Sequence, residues 1–211
     1  DEVDRKGKKV IEENRAEDQK GICIPDEERK ALMDIYKSMD GLQWFFSGSA
    51  LGVGRIFWGH QICACEWPGV TCTQEKGGHV KELDLYFGLK NAIPPSIGNL
   101  KELEKLTFRG RNQISGKIPD EIGQLKKLKI LYLTDGNLSN GYTDAIPDSL
   151  WNLTNLEELT LGFSKNIESP LPRDIENLKQ LKKLTFFTKN SGQIPTEIGN
   201  LENLESLSLG G

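Results

Sequence analysis

The chain has 211 residues, a formal net charge of −4 and a hydrophobic content of 36%. There is no basic excess to displace counterions from phosphates, which excludes a dedicated nucleic-acid binder. No run reaches the roughly 18 apolar residues a membrane span needs, and no apolar stretch opens the chain, so any signal peptide is expected to have been removed already. The low hydrophobic content suits a thin, elongated stack better than a compact core. Residues 1–22 read as a charged N-terminal arm, in whose first 20 residues only Val3, Val10, Ile11 and Ala16 are apolar. Composition makes it a solvated segment, either a helix packing Val3, Val10 and Ile11 on a neighbour or a plain extended arm. From Asp26 the pattern changes: Asp26 is placed to cap a helix with an acidic first turn, and Ala31, Leu32, Ile35, Tyr36 and Met39 recur at spacings of three and four. Asp40-Gly41 stops that helix. Between Leu42 and His60 aromatic residues and glycines (Trp44, Phe45, Phe46, Phe57, Trp58) follow no period and read as an irregular packed loop.

Four cysteines, Cys23, Cys63, Cys65 and Cys72, all precede His79. An even number clustered at one end reads as two disulfides that staple a cap, and hence as an oxidising compartment; four cysteines allow three pairings. The competing reading is a metal site, but C-x-C flanked by distant cysteines lacks the C-x-x-C knuckles of such sites, and the two histidines are not spaced to help. No metal or cofactor is expected.

From Leu83 onward the chain repeats itself. Leu83/Leu85, Leu106/Phe108, Leu131/Leu133, Leu159/Leu161, Leu184/Phe186 and Leu207/Leu209 are L-x-L pairs whose period of two turns them inward on a strand and their neighbours outward. Between them a phrase of the form I-P-x-x-[IL]-x-x-L occurs five times, with prolines at Pro94, Pro119, Pro147, Pro172 and Pro195, spaced by 25, 28, 25 and 23 residues. A period of this size marks a solenoid, whose units bury their apolar faces only by stacking on one another.

These units resemble leucine-rich repeats of the plant-specific class, about 24 residues long and written L-x-x-L-x-x-L-x-L-x-x-N-x-L-S-G-x-I-P-x-x-I-G-x. Leu103-Glu104-Lys105-Leu106-Thr107-Phe108 followed by Ile114-Ser115-Gly116-Lys117-Ile118-Pro119-Asp120-Glu121-Ile122-Gly123 matches that pattern. Asp26–Cys72 is similar to the N-terminal cap of the same class, a helix between cysteines followed by C-C-x-W-x-G-V-x-C, with Ala64 inserted between Cys63 and Cys65. The resemblance implies an α/β fold: a right-handed leucine-rich-repeat solenoid with a parallel β-sheet on its concave face and an N-terminal helical disulfide cap. It also implies the pairing Cys23–Cys63 and Cys65–Cys72. The cap is expected over 23–78 and about five and a half repeats over 79–211. The chain departs from the pattern at its Asn slot, which holds Gly88, Asn112, Gly136, Ser164 and Lys189, and in a bulge at Ser139–Asp144. It stops in mid-repeat at Leu209-Gly210-Gly211 without a C-terminal cap, so either it belongs to a longer protein or other subunits cover its last coil and its arm.

Members of this class include receptor-kinase ectodomains and secreted inhibitors similar to the polygalacturonase-inhibiting proteins. The expected function is an extracellular, secreted or cell-surface recognition module that binds a protein or peptide on its concave face. The alternatives are a structural subunit of an extracellular assembly and an inhibitor of a secreted cell-wall-degrading enzyme. Exposed aromatics are costly on a free surface and, with Arg, are enriched at binding hot spots. Tyr86, Phe87, Arg109, Tyr132, Phe163 and Phe187 are therefore the candidate contacts; the plainer alternative is that some only pack along the sheet. Asn137-Leu138-Ser139 and Asn152-Leu153-Thr154 are sequons compatible with glycosylation of Asn137 and Asn152. No catalytic arrangement is suggested: His60 and His79 belong to the cap, the cysteines are needed there, and Asp120, Glu121, Asp174 and Glu197 fall on the convex side where no cleft forms.

Overall fold

The computed structural model describes residues 24–41, 45–46, 54–55, 63–75, 77–86, 88–110, 113–134, 146–164, 170–188 and 192–210. The charged arm, Cys23, Phe87 and Asn137 lie outside these residues. Over them the chain forms one α-helix, α1 (Asp26–Ser38), and strands β1 (Phe45–Phe46), β2 (Gly54–Arg55), β3 (Val70–Cys72), β4 (Val80–Tyr86), β5 (Lys90–Asn91), β6 (Lys105–Arg109), β7 (Gln113–Ile114), β8 (Ile130–Thr134), β9 (Glu158–Ser164), β10 (Lys183–Thr188) and β11 (Ser206–Gly210).

Helix α1 buries the face its spacing predicts, with Ala31, Leu32, Ile35 and Met39 fully enclosed and Tyr36 nearly so. Its start differs from expectation by one residue. Pro25 holds the cap position, and its carbonyl accepts the first helical bond from the Arg29 N–H at 3.0 Å, while Asp26 is the first helical residue and makes no cap bond. A proline there has no N–H to leave unsatisfied and its ring presets φ, and the acidic first turn of Asp26, Glu27 and Glu28 complements the positive end of the helix. The helix ends where Asp40 turns left-handed, at φ 57°.

The cap is held together, and fastened to the solenoid, in several places. Cys65 and Cys72 form a disulfide. Strand β3 pairs antiparallel with β4, setting Val70 against Leu83 and Thr71 against Glu82. The Lys90 N–H donates to the Met39 carbonyl at 3.1 Å. Arg29 lies with its guanidinium 5.4 Å from the ring centroid of buried Trp67. Glu28, only 4% exposed, accepts hydrogen bonds from the Val80 N–H at 2.8 Å and pairs with His79 Nδ1 at 2.6 Å.

Strands β4, β6, β8, β9, β10 and β11 run parallel in one sheet, with β3 at its far edge. Their register brings the L-x-L pairs into two continuous rows, Leu83–Leu106–Leu131–Leu159–Leu184–Leu207 and Leu85–Phe108–Leu133–Leu161–Phe186–Leu209. Both rows point into the interior, and every member from Leu83 to Phe186 is at most 3% exposed. The proline phrases become 3-10 turns on the opposite side, at Pro95–Asn99, Asp120–Gln124, Asp148–Asn152, Arg173–Asn177 and Thr196–Asn200. Each turn opens with a proline carbonyl accepting from the N–H three residues on, as Pro119 does from Ile122 at 3.0 Å. Ile97, Ile122, Leu150 and Ile175 drop from these turns into the core. The glycine of the phrase marks a close approach between coils: a Cβ on Gly123 would lie 2.6 Å from the Ser149 carbonyl oxygen. In the third phrase Trp151 takes that slot and is itself buried, its ring 6.5 Å from that of Phe186.

Candidate functional site

On each parallel strand the residues flanking the inward pair face outward, and the register aligns them into rows across the sheet. The first outward row runs Glu82–Lys105–Ile130–Glu158–Lys183–Ser206, and the next runs Asp84–Thr107–Tyr132–Thr160–Thr185–Ser208. The third begins with Tyr86 directly opposite Arg109.

Three predicted residues meet at the first coils of these rows. The Arg109 guanidinium carbon lies 5.4 Å from the ring centroid of Tyr86 on one neighbouring strand and 5.9 Å from that of Tyr132 on the other. Arg109 Nη2 donates to Asp84 Oδ2 at 2.7 Å, Lys105 Nζ donates to the same oxygen at 3.2 Å, and the Thr107 hydroxyl donates to Asp84 Oδ1. One carboxylate thus fixes a guanidinium between two aromatic faces, a cation–π arrangement on both sides. Burial pushes the Asp84 carboxyl up, but the hydrogen bonds from Thr107, Arg109 and Lys105 outweigh it and hold the group below its ordinary value. Tyr86 remains 37% exposed and Arg109 38%, so the cluster is ordered yet open to solvent.

The other predicted contacts are not drawn into this cluster. Phe187, on β10, lays its ring where a side chain on Gly210 would stand, since a Cβ there would lie 2.4 Å from the ring, and it leaves ordinary contact distance to Gly162. An aromatic ring covering strand glycines has a packing role, the plainer of the two alternatives. Phe163 is placed on β9 with its side chain outside the described residues, as is all of Phe87. Asn152 is exposed in its 3-10 turn.

The residue two places before each L-x-L pair carries a pattern that the pairs alone do not reveal. Lys81, Glu104, Lys129, Glu157, Lys182 and Glu205 stack along one rim of the sheet, alternating in sign without a break. Backbone bonds tie them coil to coil, from Glu104 N–H to the Lys81 carbonyl through Glu205 N–H to the Lys182 carbonyl. Their side chains pair as well: Lys81–Glu104 at 3.6 Å, Lys129–Glu104 at 2.8 Å and Lys182–Glu157 at 2.7 Å. The Lys129 ammonium holds the Glu104 carboxyl below its usual range, and Lys182 does the same to Glu157. Reading the position two residues before each L-x-L pair as a column would have exposed the alternation. Among the described residues no three His, Cys, Asp or Glu side chains gather in a way that could hold a metal ion. None of the described helices is long and apolar enough to cross a membrane.

Stacked coils with inward leucines, a parallel sheet with an open outer face and a disulfide-bearing helical cap define a solenoid of the kind built for recognition. Residues 78–190, more than half of the chain, match the family model described as leucine-rich repeat region, and the chain belongs to that family. Receptor-like protein 6 of Arabidopsis thaliana is 35% identical over 132 residues, covering 62% of this chain and 10% of that protein. The chain thus spans about 10% of the length of the curated relatives it matches. Among solved structures it is similar to the leucine-rich-repeat ectodomain of the receptor kinase SOBIR1 from Arabidopsis thaliana, with a TM-score of 0.65, 25% identity, and coverage of 90% of this chain and 95% of that one. It is also similar to a plant ice-binding protein, with a TM-score of 0.68, 29% identity, and coverage of 84% of this chain and 53% of that one.

Proposed function

We propose that this chain is an extracellular recognition module that binds an extended segment of a protein or peptide across its concave sheet, with Tyr86, Arg109 and Tyr132 as the principal contacts. The observation that carries the reading is the Arg109 guanidinium held by Asp84 between two tyrosine rings on adjacent strands. Tyr and Arg are the residue types that dominate binding hot spots, and side chains ordered beforehand lose less entropy when a partner arrives. Six strands at about 4.8 Å give a face roughly 25–30 Å long, which an extended segment of about eight residues spans.

The same reading takes residues 1–22 as an arm, 23–78 as the cap and 79–211 as the repeats. It assigns Cys23 to Cys63 beside the Cys65–Cys72 disulfide, and a glycan to exposed Asn152. Phe87 and Phe163 are the further contacts proposed for this surface, while Phe187 serves the packing over Gly162 and Gly210. The similarity to a receptor-kinase ectodomain supports recognition as the role. The similarity to an ice-binding protein points to another ligand, but the row from Asp84 to Ser208 sets a carboxylate at its end and a tyrosine ring among its short hydroxyl side chains, so it is not a regular array of one group. The peptide reading is the one the geometry favours.

Selection of a peptide library on the purified chain tests it. Selected peptides should bind Tyr86→Ala/Tyr132→Ala at least about tenfold more weakly than the parent, the loss expected when a hot spot is truncated. The thermal unfolding midpoint should move little, since both tyrosines lie on the outer face of the sheet, Tyr86 exposed and Tyr132 half-buried. Equal affinity for parent and variant would remove these residues from the site.

A further inference from the structure

We infer that the concave face fits a partner segment without net charge, an extended stretch of polypeptide that contacts it through hydroxyl, amide and aromatic side chains. This rests on the recognition reading above and adds the chemistry of the partner. On the rim and the three outward rows, each cation sits beside an anion on a neighbouring strand. The rim alternates along its whole length. In the first outward row Lys105 lies 3.6 Å from Glu82, and Lys183 lies 2.9 Å from Glu158. Farther along the strands Arg109 lies 2.7 Å from Asp84. Formal charge over these rows cancels, although the whole chain carries −4, so the excess resides elsewhere on the molecule.

A surface paired in this way projects little field, and it neither gathers nor steers a partner of one sign. A charged segment would also have to displace an existing in-register partner, leaving that partner's own like charge beside the newcomer. Between the pairs the face offers uncharged chemistry: the hydroxyls of Thr160, Thr185 and Ser208 in one row, and the two tyrosine rings flanking Arg109.

The test is selection of displayed random peptides of about eight residues, long enough to span the sheet, on the immobilised full chain. Tyr86→Ala/Tyr132→Ala serves as the counter-target, and each enriched peptide is then synthesised and titrated at about 0.05 and 0.5 M NaCl, between which screening changes strongly. Enriched peptides should average close to zero formal charge, and their Kd should change by less than about twofold between the two salts. On Lys183→Gln, which leaves Glu158 without its cation, the selected peptides should shift to net positive charge and bind more weakly as salt rises. Peptides of one net sign that bind the parent and are lost on the tyrosine variant would overturn the inference and leave the recognition reading standing. An unshifted peptide population on Lys183→Gln would also overturn it. If no peptide distinguishes the parent from the tyrosine variant, both fall together.

Discussion

Asp84 gathers three donors on a single carboxylate, and its titration gives the cluster a signature in stability. The group is held below its ordinary value of 3.8, so its contribution is complete above that pH and is lost as pH falls through the folded value. Asp84→Asn should therefore unfold at a lower temperature than the parent at neutral pH, and the gap should close as pH drops below about 4. A constant gap down to strongly acidic pH in paired melting curves would show that the charge contributes nothing. Glu28 makes a second case, because its buried carboxylate satisfies the Val80 N–H at the seam between cap and sheet. Glu28→Ala should cost about 1–3 kcal/mol in urea unfolding, as an unsatisfied buried donor does, while Glu28→Gln keeps an acceptor in place and recovers most of it. Tyr86, Arg109 and Tyr132 were legible in the sequence because alternation along a strand decides which residues point outward. The part played by Asp84 was not: it depends on how far side chains lean between strands, which spacing does not encode.

Each coil is a strand, a corner and a 3-10 turn, and the distance between turns is set by what occupies the glycine slot. Gly123→Ala drives a Cβ against the neighbouring turn, where it would stand 2.6 Å from the Ser149 carbonyl oxygen, and should cost about 1–3 kcal/mol through overpacking. Gly199→Ala meets nothing within 4 Å and should change stability by less than about 0.5 kcal/mol in the same denaturation series. Equal costs would mean that glycine serves the turn conformation and not the stacking distance. The rim row works between elements too. Since Lys, Glu, Lys and Glu alternate, Lys129→Glu sets like charges side by side at Glu104 and Glu157, and its unfolding midpoint should fall at low salt. That difference should shrink in about 1 M salt, where the Debye length is only a few ångströms. The repeats, their inward pairs and the cap helix followed from periodicity alone. Trp151 did not, because it occupies the slot that Gly98, Gly123 and Gly199 hold in other phrases, and only the depth of the groove between coils shows that an indole fits there.

At the scale of the molecule, stability is a sum of nearest-neighbour interfaces between coils, so local opening should follow position in the stack. Leu207 on β11 is 45% exposed, whereas Leu106, Leu131 and Leu159 are fully buried. Amide exchange of this 211-residue chain should accordingly be fastest on β11 and slowest on β6, β8 and β9, as read by mass spectrometry of peptic fragments. The solenoid architecture was readable from five in-phase phrases. Which part of its outer face is chemically distinct was not, because the Arg109 clamp and the neutral rows arise from contacts between coils about 25 residues apart. The most direct measurement is hydrogen exchange of the chain with and without a library-selected peptide. Binding across the concave sheet predicts new protection at 80–86, 105–109 and 130–134. Protection confined to the turns at 95–99, 120–124 and 148–152 would contradict it, placing the partner on the convex side.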